Sequence, residues 1–360
     1  MTRLTALLSA ASALAFLTAC GAPPAEDDMT ASEPSAEMSD DGETALTEDD
    51  MAADEAAMME ENRPEAGTLA WAMSGEWRSE EDQARDPYRH PMETLEFFGI
   101  DPSWRVMEIW PGGGWYTDIL APWITANGGQ YIAVWPDIPA DNERAVAFQA
   151  RFVEKFDDPR FGDVELATFD SESGPLGEPG SVDAIVTFRN THSWMGRGAA
   201  EKAFSDFYDV LAPGGILGLV QHRLPADRVQ DPRASTGYVQ EDLVISMAEE
   251  AGFELIDSSE VNANSMDTAD HPFGVWTLPP VSRSSAFGEP ADPEFDRAPY
   301  DAIGESDRMT LLFFKPEGDA AWSNPGRLFS LTDQSAAPAS RSSAWACNPG
   351  LAAAISWPPS

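Results

Sequence analysis

Cysteine is nearly missing from this chain. There are two in 360 residues, Cys20 and Cys347. A cysteine-built zinc site is excluded by count, and if Cys20 is modified no intrachain disulfide remains, so stability has to come from a packed core. Positive charge is scarce as well: 22 Lys and Arg stand against 62 Asp and Glu, a formal net charge of -40. Sixteen of the acids fall between Glu26 and Glu65, where Arg63 is the one base. Such a chain repels phosphate backbones and anionic membrane surfaces, which argues against a nucleic-acid partner. Several chemical signatures are also missing. There is no Gly-Lys-Ser/Thr phosphate loop, no His-Glu-x-x-His zinc helix and no Gly-x-Ser-x-Gly elbow. The four histidines and the many carboxylates show no metal-ligand spacing, so no metal is expected.

The longest apolar run, residues 4–17, is too short to span a bilayer as a mature helix. With Arg3 before it and Leu17-Thr-Ala-Cys20-Gly21 after it, the segment reads as an export signal. It resembles a bacterial lipobox, which implies cleavage before Cys20 and a lipid on that thiol. Gly21, standing where such signals carry an inner-membrane retention aspartate, points to the outer membrane. Residues 21–66 are Ala, Glu, Asp, Ser, Pro and Met with almost no aromatics, and are expected to form a disordered tether. Residues 317–360 are rich in Ala, Ser and Pro and show no periodicity, as expected of a low-complexity tail.

Between these lies one region of 67–316 with folded character. Residues 79–98 read as two short helices broken at Pro87. Strands are expected at 105–110, 130–135, 164–169, 182–188, 216–222, 253–260 and 309–314, and helices at 116–125, 142–156, 198–211 and 241–251. The early strands are continuous apolar runs, the mark of strands covered by helices on both faces. Strand–helix alternation of this length implies an α/β fold with a doubly wound, largely parallel sheet. The last strand follows a long irregular stretch, 261–307, and could enter antiparallel.

The clearest functional signal is EIWPGGGWYT at 108–117. An apolar strand, an acid, three glycines and a helix start bring backbone able to take positive φ against free helix N–H groups. That is how open α/β sheets hold nucleotide-like ligands. The loop is not Gly-x-Gly-x-x-Gly, because Tyr116 and Thr117 stand where a helix-packing glycine would fall, so a nicotinamide dehydrogenase is a weak competitor.

With TFRNTHSW at 187–194, LAPGG at 211–215, DTADHPFGVWTLPP at 267–280 and IGESDRMTLLF at 303–313, these residues resemble the class I S-adenosylmethionine-dependent methyltransferases. More narrowly they resemble the exported bacterial group called predicted methyltransferases. The resemblance implies a seven-stranded Rossmann-like sheet with an antiparallel last strand and S-adenosyl-L-methionine as cofactor. It implies Glu108 as the acid of the first motif, Gly112, Gly113 and Gly114 as the glycine turn, Asp137 at the ribose and Asp170 at the adenine edge. Two departures stand out: Trp110 takes the first glycine position, and Trp135 falls where the ribose acid belongs. The stretches 267–280 and 303–313 carry no mechanism that the sequence reveals.

Methyl transfer is an in-line displacement in which positioning supplies much of the rate, and a base is needed only where the acceptor must lose a proton. His192, just past the fourth strand, is the first candidate for that base, with Asn190 and Arg189 as orienting groups. His222 ends the fifth strand and His271 lies in a stretch able to cover the crevice. A small-molecule acceptor is expected. An exported address conflicts with a cytoplasmic cofactor. Two other readings therefore stay open: a non-catalytic small-molecule binder on the same fold, and a scaffold that recruits partners through its tether and tail.

Overall fold

The computed structural model describes residues 63–317. Cys20 and its signal segment, the tether up to 62 and the tail from 318 lie outside the described residues. The strands are β1 Arg105–Ile109, β2 Gln130–Trp135, β3 Glu165–Thr168, β4 Val182–Phe188, β5 Leu211–Leu224, β6 Val239–Gln240, β7 Glu254–Ser259 and β8 Arg308–Phe314. The helices are α1 Leu69–Met73, α2 Glu80–Gln83, α3 Asp86–Arg89, α4 Pro91–Phe98, α5 Thr117–Ala126, α6 Glu143–Val153, α7 Thr191–Arg197, α8 Ala200–Val210, α9 Glu241–Glu250 and α10 Ala298–Ile303.

The main sheet runs β3-β2-β1-β4-β5-β8-β7. Strands β1 to β5 are mutually parallel, and β8 is antiparallel to both β5 and β7. This is the doubly wound, largely parallel Rossmann-like sheet with an antiparallel last strand that the residues led us to expect. One short strand was not foreseen: β6 pairs with the end of β5. The strand order reverses between β1 and β4, and open α/β sheets put their binding crevice at the carboxyl ends on either side of such a reversal.

Two apolar layers cover the sheet. One packs Met107 and Ile109 of β1 with Trp194, Phe204 and Phe207 from α7 and α8. The other packs Val106 with Leu95 and Phe98 of α4 and with Ile119 and Leu120 of α5. A central strand therefore has no solvent face, whereas edge strands β3 and β7 show exposed positions. At Gly218 of β5 the helix α4 approaches closely, because a Cβ there would meet the Phe98 ring at 2.6 Å. That ring is fully buried, worth roughly 2–3 kcal/mol relative to an exposed one.

Local expectations were revised in three places. Residues 79–98 form three short helices, and Pro87 does not break them. It sits in the first turn of α3, where its missing N–H is no loss, and the break falls at left-handed His90. The expected helix 198–211 has a separate predecessor, α7, which ends at left-handed Gly198. The LAPGG reversal lies inside β5 as a register shift against β4, with Val182 opposite Leu211 and Ala184 opposite Ile216.

Candidate functional site

A crevice of about 440 Å³ opens at the carboxyl tips of β1 and β4. Four parts of the chain build it: α2 and α3 with the turn between them (Asp82, Arg85, Arg89), the β1 turn (Trp110 to Gly113), the tips of β4 and β5 (Arg189, Asn190, His192, His222), and two late loops (Val275 to Val281, Glu305, Ser306). The stretches 267–280 and 303–313 thus converge on the same place as the glycine turn. Asp267 explains how. Nearly inaccessible, its carboxylate accepts from Tyr238 Oη (3.0 Å), the Ala269 N–H (2.9 Å), His271 Nε2 (2.7 Å) and the Asp307 N–H (2.8 Å). One buried acid therefore ties both late loops to the sheet and sets the far wall of the crevice.

Both strand tips end on a strained residue. Trp110 has φ 50° and Arg189 φ 65°, left-handed values that a bulky side chain adopts only when its surroundings impose them. The Trp110 N–H bonds the Val134 carbonyl at 2.8 Å and the Arg189 N–H the Val220 carbonyl at 2.6 Å. Asn190 locks the corner: its Nδ2 donates to the carbonyls of Ile109 (2.7 Å) and Trp110 (3.3 Å). Its amide nitrogen is thus engaged in joining β1 to β4.

The Trp110 indole reaches toward the end of β3. Its N–H donates to the Phe169 carbonyl at 3.1 Å, its ring lies 6.1 Å from those of Phe169 and Trp194, and the Arg197 guanidinium stands 4.9 Å over it. It forms a wall of the crevice and fills the room beside Phe169.

Gly112, Gly113, Arg189, Asn190 and His192 are brought together in this crevice. Glu108, Gly114, Asp137 and Asp170 are not among its lining. Glu108 points to the α5 face, as strand alternation dictates once Ile109 faces the other layer. It is 2 % exposed and accepts from Thr117 Oγ1 (2.9 Å) and Tyr131 Oη (2.5 Å). Burial pushes its carboxyl up to about 7 against those two hydroxyls. Expected as the acid of the first motif, it lies outside the crevice lining and braces the first turn of α5 from below. Gly114 faces α6, where a Cβ would sit 3.1 Å from the Phe152 ring and from Lys155 Nζ. By contrast a Cβ at Gly112 or Gly113 would meet nothing within 4 Å, so the open part of the turn is Gly112–Gly113. Asp137 is exposed, two residues past β2. Asp170 caps its own loop through the Ser171 N–H (2.7 Å) and meets Arg197 at 3.4 Å. Trp135 is buried against Phe152, ring centroids 5.0 Å apart.

The two histidines are uncharged at neutral pH. Burial holds His192 down at about 4, with only Gln221 pulling the other way, and its Nδ1 lies 3.3 Å from Gln221 Nε2. Burial, then the neighbouring His192, keeps His222 well below its ordinary value. Its Nδ1 is 2.6 Å from Ser306 Oγ, and the two imidazoles stand 5.6 Å apart.

Sequence reasoning missed an arginine cluster. Glu305, 6 % exposed, is met by Arg85 (2.8 Å), Arg89 (3.1 Å), Arg308 (3.2 Å) and, more loosely, Arg189 (3.7 Å). A signal was present: in a chain with 22 basic residues, Arg78, Arg85 and Arg89 crowd into one short helical stretch.

No family model and no curated protein matches the chain. Among solved structures it is similar to an S-adenosylmethionine-dependent methyltransferase from Aquifex aeolicus, at 20% identity over 50% of this chain and 87% of that one, TM-score 0.40. It is similar to the phosphoethanolamine N-methyltransferase 2 of Haemonchus contortus, solved with S-adenosyl-L-methionine, at 17% identity over 64% and 53%, TM-score 0.39. It is also similar to the [4+2]-cyclase SpnF, at 19% identity over 68% and 86%, TM-score 0.38. At this level of likeness it is the strand order that defines the fold.

Proposed function

We propose that this chain is an S-adenosylmethionine-dependent methyltransferase acting on a small molecule. The observation that carries the reading is the meeting, at the strand-order reversal, of the open Gly112–Gly113 turn with the β4 and β5 side chains in one crevice. Such a turn admits close backbone approach of a ligand. The residues fit the cofactor at this turn, where added side chains would project into free space. Beside Phe169 the fit is incomplete, because the Trp110 indole takes the room.

When bound, the cofactor supplies an already activated methyl group, so the protein's work is placement. Gly112 and Gly113 leave the approach open. Asn190 and the strained tips of β1 and β4 hold the crevice walls. His192 and His222, being neutral, can accept a hydrogen bond from an acceptor without adding positive charge. A base held near 4 takes a proton only reluctantly, so His192 is better suited to orienting an acceptor whose nucleophile is already unprotonated.

Titration calorimetry on the full chain carrying Cys20→Ser tests this. Micromolar binding of S-adenosylmethionine and its demethylated product supports the reading; no heat and no thermal shift at millimolar ligand overturn it. One observation favours a second reading, a non-catalytic binder on this fold: Trp110 crowds the space beside Phe169 and Asp170. We further propose that Cys20 is the lipid anchor of an exported protein, on the outer membrane. Cys20→Ser should then move the chain from the membrane to the soluble fraction.

A further inference from the structure

We propose, resting on the methyltransferase reading of the crevice, that the acceptor is a small molecule carrying a dianionic oxyanion, a phosphate monoester or a pair of carboxylates, held by Arg85, Arg89 and Arg189. The geometry asks for such a group. Four guanidinium groups surround one carboxylate, Glu305, and three of the four arginines line the crevice. Asp82, the other acid of the lining, accepts the Ser79 hydroxyl at 2.9 Å. The three lining arginines against the two lining acids leave one positive charge uncompensated, and Arg308, paired with Glu305 from outside the lining, adds a second.

Two of the guanidiniums have bonding capacity to spare. The Arg89 side chain is 4 % exposed, and its Nη1 is buried without a hydrogen-bond partner among the described residues. Its other face lies 4.6 Å over the Trp115 ring, so the fork is held flat. Arg189 makes no side-chain hydrogen bond among the described residues, its nearest acid being Glu305 at 3.7 Å. Its strained backbone, φ 65°, keeps it at the β4 tip. A buried donor left unmet costs stability, and planar forks suit bidentate contact with carboxylate or phosphate. In a chain of net charge -40, a positive hollow between two histidines and a glycine turn selects strongly for the sign of what enters.

The test is calorimetry on the full chain with Cys20→Ser at low ionic strength, titrating inorganic phosphate and, separately, malonate, and in a third arm the demethylated cofactor. The inference expects millimolar or tighter binding of at least one oxyanion, with the stronger probe telling phosphate from paired carboxylates. It expects that binding to persist with the demethylated cofactor saturating. Arg189→Met and Arg85→Met, at positions of similar exposure, should each weaken it about tenfold, the cost of one charged hydrogen bond, while Arg189→Lys retains part of it. The melting temperature of each variant, read beside its affinity, and the charge-keeping Arg189→Lys separate lost binding from lost folding. Oxyanion binding without cofactor binding would keep the anion site and remove the methyltransferase reading. Cofactor binding without oxyanion binding would overturn the inference alone. Displacement of the oxyanion by the demethylated cofactor would also overturn it, because the arginines would then serve the cofactor's own carboxylate.

Discussion

Glu305→Gln is the perturbation that interrogates the arginine cluster most directly. The side chain keeps its shape and loses its charge, leaving Arg85, Arg89, Arg189 and Arg308 facing one another. Arg89 and Arg308 are each 4 % exposed and Arg85 is 20 % exposed, so water cannot screen the repulsion fully. Removing one partner of a buried ion pair costs about 3–5 kcal/mol, because the other charge stays buried and unpaired. For a folded region of this size each kcal/mol moves the melting temperature by about 2–4 °C, so the midpoint should fall by about 6–20 °C. Oxyanion binding should move the other way: with the competing carboxylate gone, phosphate binds more tightly, and saturating phosphate restores part of the lost melting temperature by mass action. A purely structural cluster would lose stability with no gain in affinity. A midpoint within a degree or two of the parent, or weaker phosphate binding, would refute this reasoning.

Other expectations follow from single positions. Gly113→Val should abolish binding of the demethylated cofactor in calorimetry while leaving the melting temperature nearly unchanged, since Gly113 has no positive φ and a Cβ there meets open space. Gly114→Ala should do the reverse, with φ 89° and the Phe152 ring at 3.1 Å costing about 1–3 kcal/mol of stability, read from denaturant midpoints. Burial raises Glu108 from its usual 4.5 to about 7, so the native state holds that proton more tightly than the unfolded chain. Its contribution is complete below pH 4.5 and is lost as pH rises through 7. Glu108→Gln, compared with the parent in pH-dependent unfolding, should therefore flatten the decline between those values and be the more stable protein at pH 8. A parallel pH profile for the two would contradict the placement of that carboxyl.

Much of the architecture was readable before any coordinates. Apolar runs such as 182–188, bounded by turns, could only be strands covered on both faces, and their alternation with helices implied the parallel sheet. The glycine turn and the TFRNTHSW tip were legible because each is a local pattern at a strand end. Neighbouring residues within those patterns were not separable. Gly113 and Gly114 read alike as letters, yet one borders free space and the other meets α6, a difference set by helix packing. Glu108 reads as a ligand-facing acid, yet the pleat turns it beneath α5. Arginines at 85 and 89 read as the wet face of a short helix. Nothing local joins Arg85 to Glu305, 220 positions away.

Sequence alone determined the strand-and-helix periodicity, the glycine turn at the end of β1 and the scarcity of positive charge, because each depends on residues within a few positions of one another. Only the tertiary structure decided which of those residues share a crevice, that Asp267 draws two late loops onto it, and that the few available arginines gather around one acid. Those outcomes depend on distances between segments far apart in the chain, and burial and charge at a point in space follow from that packing, which no local pattern records.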